Sequence, residues 1–256
     1  MDRLHCDLFH QDRLLLNGVG LRIKLDRAKG AFCIMSGAGG VKYKILTALF
    51  YLRRVYLSDT VFTAHQRALG FGPAKYPITR VLCTYFQIPG TNTSYHQDNL
   101  FGGQMPTRVI IGLVDAAAFN GSYQKNPFFF KHRNTTKAEL SIGGMSENLK
   151  GLQLNFPNQS LLSYLGYLIG TGKWGKDVGS DFDREDYKDG YSLFAWNLTP
   201  DLAEGQEHFQ LRKDLSVRLD LTFNTPLPVA TNCIVYAEFE NLILIDKHRN
   251  VTTNFA

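Results

Sequence analysis

The fold of this chain is decided by residues 108–144, which read RVIIGLVDAAAFNGSYQKNPFFFKHRNTTKAELSIGG. This stretch opens with a run of branched apolar side chains over residues 108–114, which predicts a strand buried on both faces. The Asn-Gly pair at 120–121 predicts a tight turn, because glycine takes a positive φ without a steric cost. The Asn-Pro step at 126–127 then favours an extended run over the three phenylalanines at 128–130. The stretch therefore predicts a strand, a tight loop and a second strand.

Most of the other apolar patterns also predict strands. Within residues 215–223 the apolar side chains alternate with four polar ones, a period of two that buries one face of a strand. A hairpin is predicted over residues 13–25, with its turn at the Asn-Gly pair 17–18. Further strands are predicted at residues 76–88, 138–142, 191–198 and 233–240.

Helical signals are few. Ser58 and the two residues after it supply N-cap chemistry for a short helix over residues 61–69. A second helix is predicted near residues 160–169, and residues 44–57 fit either a helix or a strand.

About eight strands with one or two short helices predict an all-β protein, an antiparallel β-sandwich. A jelly roll is one standard double-sheet solution, but periodicity alone does not distinguish it from other sandwich topologies.

Composition sets the broad class of the protein. The chain has 256 residues, a net charge of +5 and a pI near 8.9. No dense run of lysine and arginine occurs, so a mildly basic globular protein is the favoured interpretation, although the charge permits a basic face toward DNA. The chain opens with polar and charged residues, and no apolar stretch is long enough to span a bilayer, which predicts an intracellular setting without a membrane. Four cysteines lack metal-binding spacing and are predicted to be buried free thiols.

The candidate chemical residues favour structural roles over catalysis. The acidic cluster at residues 181–186 lacks the spacing of a known calcium loop, and a solvated loop is the favoured interpretation. His132 follows the phenylalanine run and is interpreted as a strand-end residue. Glu238 and Glu240 share one strand face, which would suit glycoside hydrolysis only inside a cleft. No catalytic residue, cofactor or metal site is predicted, and the protein is not expected to be an enzyme.

The two tryptophans receive different predictions. Trp196 lies inside a predicted strand and is expected in the core. Trp174 lies in a Gly-Lys loop and is the better candidate for surface contact, for example by stacking on a sugar.

The decisive stretch also resembles a known family, the capsid proteins of Maverick/Polinton elements, which are large virus-like DNA transposons. That family has a VDxxAFNGxYxxNPFxFxH pattern, and further similar blocks cover nearly the whole chain, including residues 7–19, 74–78, 190–194, 198–201 and 232–241. The positions that match the pattern and are expected to be structural are Asp115, Phe119, Asn120, Gly121, Tyr123, Asn126, Pro127, Phe128 and Phe130.

The resemblance implies a fold and a domain organisation. The family is similar to double-jelly-roll major capsid proteins, so the sandwich is expected to be of the jelly-roll type. This chain starts inside the family's pattern, which implies N-terminal truncation. Residues 1–40 are therefore expected to be a remnant of a preceding jelly roll or an N-terminal hairpin, and residues 41–256 a jelly-roll domain. The glycine-rich break at residues 37–40 is the expected boundary.

The resemblance also implies a function. It implies a structural protein that forms hexon-like homotrimers, which tile a shell together with a penton or minor capsid protein and contact DNA without sequence specificity. The expected location is the cytoplasm or nucleus, and the virion if the protein assembles. Alternatives are a non-assembling, lectin-like jelly-roll binding module, a domesticated relic, and a hydrolase that uses Glu238 and Glu240. Phe128 and Phe130 are expected on one face of their strand and Phe129 on the other, with at least one face buried.

Overall fold

The computed structural model describes residues 4–10, 12–37, 40–143, 145–146, 154–156, 160–177, 179–199 and 214–253. The chain divides into two units. One comprises Met1–Arg27, Lys42–Arg80 and Glu240–Ala256, and the other comprises Ala28–Val41 and Val81–Phe239. The predicted division at residue 40 stays a prediction.

The described residues form nine strands and five α-helices, with a short 3-10 turn at Asp7–His10. The strands are β1 Ala74–Ile88, β2 Ser94–Gln97, β3 Arg108–Asp115, β4 Thr135–Ile142, β5 Met145–Ser146, β6 Leu193–Asn197, β7 Val217–Phe223, β8 Thr231–Ile245 and β9 Val251–Thr253. The helices are α1 Gly30–Cys33, α2 Asp59–Phe71, α3 Ala116–Phe119, α4 Leu161–Gly170 and α5 Arg184–Lys188.

The strands make two sheets whose order defines the topology. The first sheet has the order β1-β8-β3-β6, with β9 also paired to β8, and the second has the order β2-β7-β4-β5. When one long hairpin of four strand pairs is wrapped into two sheets, the strands that pair are β1·β8, β2·β7, β3·β6 and β4·β5. This is the jelly-roll order. The prediction of an antiparallel β-sandwich of the jelly-roll type with few short helices is therefore confirmed.

The core lies between the two sheets and follows from the strand patterns. In β7 the buried side chains Val217, Leu219, Leu221 and Phe223 alternate with more exposed ones, as the period of two predicts. The central strand β3 is buried on both faces from Ile111 to Val114, again as predicted. Other fully buried members of the core are Val109, Leu140, Val235, Ala237 and Phe239.

Helix α4 and helix α5 pack on this core through aromatic side chains. Tyr187 of α5 is fully buried, and its hydroxyl lies 2.7 Å from the Ser163 hydroxyl and donates to the Leu193 carbonyl at 2.9 Å. Burial raises the pKa of the Tyr187 phenol above its ordinary value. Helix α4 confirms the helix predicted near residues 160–169, and α2 confirms the helix predicted after Ser58, although the Ser58 side chain makes no capping hydrogen bond.

Three sequence predictions are wrong. Phe128–Phe130 forms no strand, because the Asn126 side chain accepts a hydrogen bond from the Phe128 amide and bends the chain into a turn. Residues 13–25 form no hairpin, although Gly18 does take a positive φ in a turn. Residues 44–57 are neither helix nor strand.

The cysteine prediction is wrong in part. Cys6, Cys33 and Cys83 are exposed, and only Cys233, on the central strand β8, is buried. None of these four residues forms a disulfide in the described part of the chain. The error arises because an apolar neighbourhood in sequence does not require a buried side chain when the segment lies at the surface.

Parts of several predictions lie outside the described residues. They include residues 1–3 of the predicted N-terminal segment, residue 11 of the first similar block, residues 38–39 of the glycine-rich break, Gly144 at the end of the decisive stretch, and residues 200–201 of a later block.

Candidate functional site

The loop that joins β3 to β4 is the candidate functional site, and we call residues 115–134 the motif loop. It begins with the one-turn helix α3, whose Ala116 and Ala118 are buried. Gly121 follows with φ of +100°, and a Cβ at this position would lie 3.3 Å from the Phe32 amide nitrogen. Glycine is therefore required here by both backbone conformation and close approach, as the Asn-Gly pair predicted.

A charge cluster fixes the start and the end of the motif loop. Asp115 forms ion pairs with Arg133, with Lys125 at 3.2 Å and with Lys131 at 3.7 Å. The Arg133 and Asp115 side chains are almost fully buried, and burial lowers the pKa of the Arg133 guanidinium from its ordinary value. The Arg133 guanidinium nevertheless stays protonated at any physiological pH. The cluster therefore holds the two ends of the loop together.

Phe130 anchors the loop between the strands. Its backbone amide donates to the Gly190 carbonyl at 2.7 Å, and its carbonyl accepts from the Ser192 amide at 3.2 Å. Its ring lies against Gly112 of β3, where a Cβ would lie 2.5 Å from a ring carbon of Phe130. The absence of a side chain at Gly112 thus creates the space that Phe130 fills.

The two neighbouring phenylalanines face outward. Phe128 is 62% exposed and Phe129 is 41% exposed, and because no strand forms here, the expected placement of Phe128 and Phe130 on one strand face and Phe129 on the other is wrong. The Phe128 ring packs edge-on against Phe32 with ring centroids 5.8 Å apart. The Phe129 ring lies against Gly190, in the space that a Cβ would occupy in any other residue. The Lys131 ammonium lies 5.5 Å from the Phe129 ring centroid. An Asx turn, rather than strand alternation, decides these orientations.

The remaining motif residues bind the loop to neighbouring backbone. Phe119 packs on Tyr85 with ring centroids 4.5 Å apart. Tyr123 donates its hydroxyl proton to the Val41 carbonyl, and its own carbonyl accepts from the Ser36 amide at 2.9 Å. Pro127 is buried, whereas Asn120 and Asn126 are exposed. The structural roles predicted for these positions stay a prediction.

His132 lies beside the anchor residue Phe130 and is half-buried. Its ring stacks on Phe156 with centroids 4.5 Å apart, and its Nδ1 accepts a hydrogen bond from the Asn134 amide at 2.9 Å. Burial, with a smaller contribution from Lys188, lowers the pKa of the imidazole from its ordinary value of 6.5. Both observations favour a neutral ring with a packing role, which is the strand-end interpretation made from the sequence.

The other chemical candidates have structural partners. Glu238 accepts a hydrogen bond from Arg108, which does not suit the carboxylate pair of a hydrolase. Asp183 caps α5 and accepts from the Glu185 and Asp186 amides, so the acidic cluster serves a helix start. Within the residues that the structure describes, no group of three side chains is arranged to hold a metal ion. Trp196 is buried and Trp174 is exposed, as expected.

Two residues of the site were not found from the sequence. Gly112 could have been noticed as a glycine inside an otherwise branched strand, which indicates close approach of another group. Arg133 could not have been noticed in the sequence, because its burial depends on the fold that brings it back to Asp115.

The chain is similar in sequence to a known protein. The chain is 27% identical over 258 aligned positions to an uncharacterized protein of Caenorhabditis elegans, an alignment that covers 95% of this chain and 60% of that protein. The chain therefore spans less than two thirds of the relative's length. No protein-family model matches the chain.

Three solved viral structures are similar in fold. They are PBCV-1 VP54 fitted into a reconstruction of the virophage Sputnik (12% identity, TM-score 0.46), the Sputnik virophage (11%, 0.42) and the mavirus major capsid protein (9%, 0.39). The alignments cover 78%, 72% and 71% of this chain and 55%, 39% and 41% of those chains, respectively. No helix in the described part of the chain is long and apolar enough to cross a membrane.

Proposed function

We propose that this chain is a structural protein of the capsid type, a jelly roll that associates with further copies of itself. The observation that carries the proposal is the exposed aromatic surface at Phe128 and Phe129, which Phe130 and its backbone hydrogen bonds hold on the jelly roll. Contiguous exposed apolar surface marks interaction sites, and phenylalanine is enriched in the cores of interfaces. A rigid framework that presents such a surface suits assembly because little ordering entropy is lost on contact.

The resemblance to Maverick/Polinton capsid proteins supports a more detailed form of the proposal. In this form the protein belongs to a virus-like DNA transposon and forms hexon-like trimers that tile a shell with a penton or minor capsid protein. In this form a basic face of the protein contacts packaged DNA without sequence specificity. The protein acts in the cytoplasm or nucleus and in the virion, and it is not an enzyme.

One observation favours a second candidate function, a lectin-like binding module. Trp174 follows α4 and is 61% exposed, which leaves its ring available to stack on a sugar. A chain of this kind would not assemble and would be either a glycan-binding protein or a domesticated relic of the element.

The mass of the purified chain in solution, measured by light scattering after size exclusion, separates the two functions. A trimer or a larger particle is expected, and electron microscopy would then test for shells. A stable monomer at all concentrations would contradict the assembly proposal and would justify a glycan screen with a Trp174→Ala control.

A further inference from the structure

Two segments of opposite net charge meet at Phe129. On one side, residues 120–133 carry three basic side chains and no acidic one. On the other side, residues 181–189 carry five acidic side chains and two basic ones. The two segments meet at Phe129, which lies on Gly190, the second residue after α5. We call this surface the Phe129 face.

The basic side of the Phe129 face is held by the motif loop. Lys131 lies above the Phe129 ring, and both Lys125 and Lys131 reach Asp115 while keeping about two fifths of their side chains exposed. One carboxylate is thus shared among Lys125, Lys131 and Arg133, so the loop keeps a positive balance. A cation held over an exposed ring is positioned to meet an anion on an approaching surface.

The acidic side of the Phe129 face has a fixed position because α5 is anchored in the core. Tyr187 is fully buried and fixes α5, and the Asp183 cap fixes its first turn. Phe182 stacks on Tyr191 with centroids 5.0 Å apart, which ties the segment before α5 to the residue that follows Gly190. Asp181, Glu185 and Asp189 are exposed on this fixed framework.

A second copy of this chain is the partner that fits such a surface. When a two-fold axis lies in the contact plane, runs through the aromatic centre and is perpendicular to the line between the two sides, each side of the face meets the other side of its partner. The axis therefore places the basic side of one copy on the acidic side of the other, with Phe128 and Phe129 packed between them. From this geometry we infer that the Phe129 face pairs two copies of the chain across a two-fold axis. The inference rests on the proposed self-association and names a contact between two copies that is separate from the heterologous three-fold interfaces of a trimer.

The test is a charge exchange between two variants of the full chain. The basic-side variant is Lys125→Glu with Lys131→Glu, and the acidic-side variant is Asp181→Lys with Glu185→Lys, which leaves the Asp183 and Asp186 capping box intact. Each variant alone brings like charges together across the axis, whereas a mixed pair restores opposite charges at both contacts. The measurement is sedimentation equilibrium of each variant, of their equimolar mixture and of the wild type.

We expect the dissociation constant to rise at least tenfold in each variant and to return to within about threefold of the wild-type value in the mixture, since opposite charges meet again. Phe128→Ser with Phe129→Ser should weaken association by at least as much, and the mixture cannot rescue it. The matched control is Lys137→Glu with Arg218→Glu on the second sheet, where each cation also has an acidic neighbour. This control should keep the wild-type mass, and thermal unfolding of every variant checks the fold.

The outcomes distinguish this inference from the proposed function. If the wild-type chain associates and both variants keep the wild-type mass, the Phe129 face does not pair two copies, although the proposed self-association stands. The face would then contact another partner. Weakened variants whose mixture shows no recovery also overturn the two-fold pairing. A wild-type chain that stays monomeric overturns the proposed function and this inference together.

Discussion

Arg108 and Glu238 lie directly opposite each other on β3 and β8, and Arg108 Nη1 donates to Glu238 Oε2 at 3.1 Å. Both side chains are mostly buried, with exposed fractions of 17% and 16%. Arg108 also donates from Nε to the Gly170 carbonyl at 3.1 Å, at the C-terminal end of α4. The guanidinium therefore links two strands and satisfies a helix end, where a positive charge is favourable.

Removal of Arg108 should be costly, because the mostly buried Glu238 carboxylate would lose the cation that faces it. We expect Arg108→Met to lower the free energy of unfolding by about 3–5 kcal/mol, measured by chemical denaturation. The double variant Arg108→Met with Glu238→Leu should recover part of this loss, since it buries no unpaired charge. Lys24→Met is the control, because the Lys24–Asp26 pair is about three-quarters exposed and its loss should cost less than about 1 kcal/mol. An Arg108→Met chain of wild-type stability would contradict the linking role.

Phe128→Ala should have only a small effect on stability. The ring contacts Phe32 but is mostly exposed, so we expect a loss below about 1.5 kcal/mol, the range for one aromatic pair. Phe156→Ala is the matched core control and should cost about 3–5 kcal/mol, because Phe156 is fully buried. Equal losses of thermal stability in the two variants would show that Phe128 is a core residue after all.

The contrast between Phe128 and the strands shows what the sequence could predict. The period of two in β7 and the branched run in β3 predicted both strands, because burial on one or two faces leaves a direct pattern in the residues. Three consecutive phenylalanines leave no such pattern. Their orientation depends on the Asn126 side chain and on Gly112 and Gly190, which are distant in sequence.

The sequence alone also could not supply the strand order or the charge cluster. The jelly-roll order depends on which strands pair across long separations, and the family resemblance rather than periodicity predicted it. The ion pair between Asp115 and Arg133 and the pair between Arg108 and Glu238 likewise form only after β3, the motif loop and β8 have met. The turn at Gly121 was predictable, because its cause is local.

Gly112→Ala should destabilise the protein by overpacking. The added methyl group would lie 2.5 Å from Phe130 Cδ1 and 2.9 Å from Leu193 Cδ2, so the ring must move. We expect a cost of about 1–3 kcal/mol in the free energy of unfolding. Gly20→Ala is the control, because no atom lies within 4 Å of its added methyl group.

The Gly112 result can be tied to Phe130 by a second substitution. Phe130→Leu frees space beside Gly112, so Gly112→Ala should cost less in the Phe130→Leu background than in the wild type. Additive losses would mean that the methyl group and the ring do not meet.

His132 should make stability depend on pH in the acidic range. Burial lowers the pKa of the folded imidazole below its ordinary value of 6.5, so the unfolded chain binds the proton more readily. The stabilising contribution is therefore complete above about pH 6.5 and is lost as the pH falls from there toward the folded pKa. His132→Gln should flatten this part of the stability profile, measured as the melting temperature from pH 8 to pH 5. An NMR titration that places the folded pKa above 6.5 would reverse the sign and contradict the assignment.

The four thiols should react in two classes. Cys6, Cys33 and Cys83 are exposed, so a disulfide reagent at pH 8 should modify three thiols in the folded protein. Burial raises the pKa of the Cys233 thiol to about 12, which removes both access and the reactive thiolate, so the fourth thiol should react only on unfolding. A Cys233→Ala variant is the control, because it should lose the slow class and keep the fast one. Fast modification of all four thiols would mean that β8 opens readily, which a central strand with neighbours on both sides should not do.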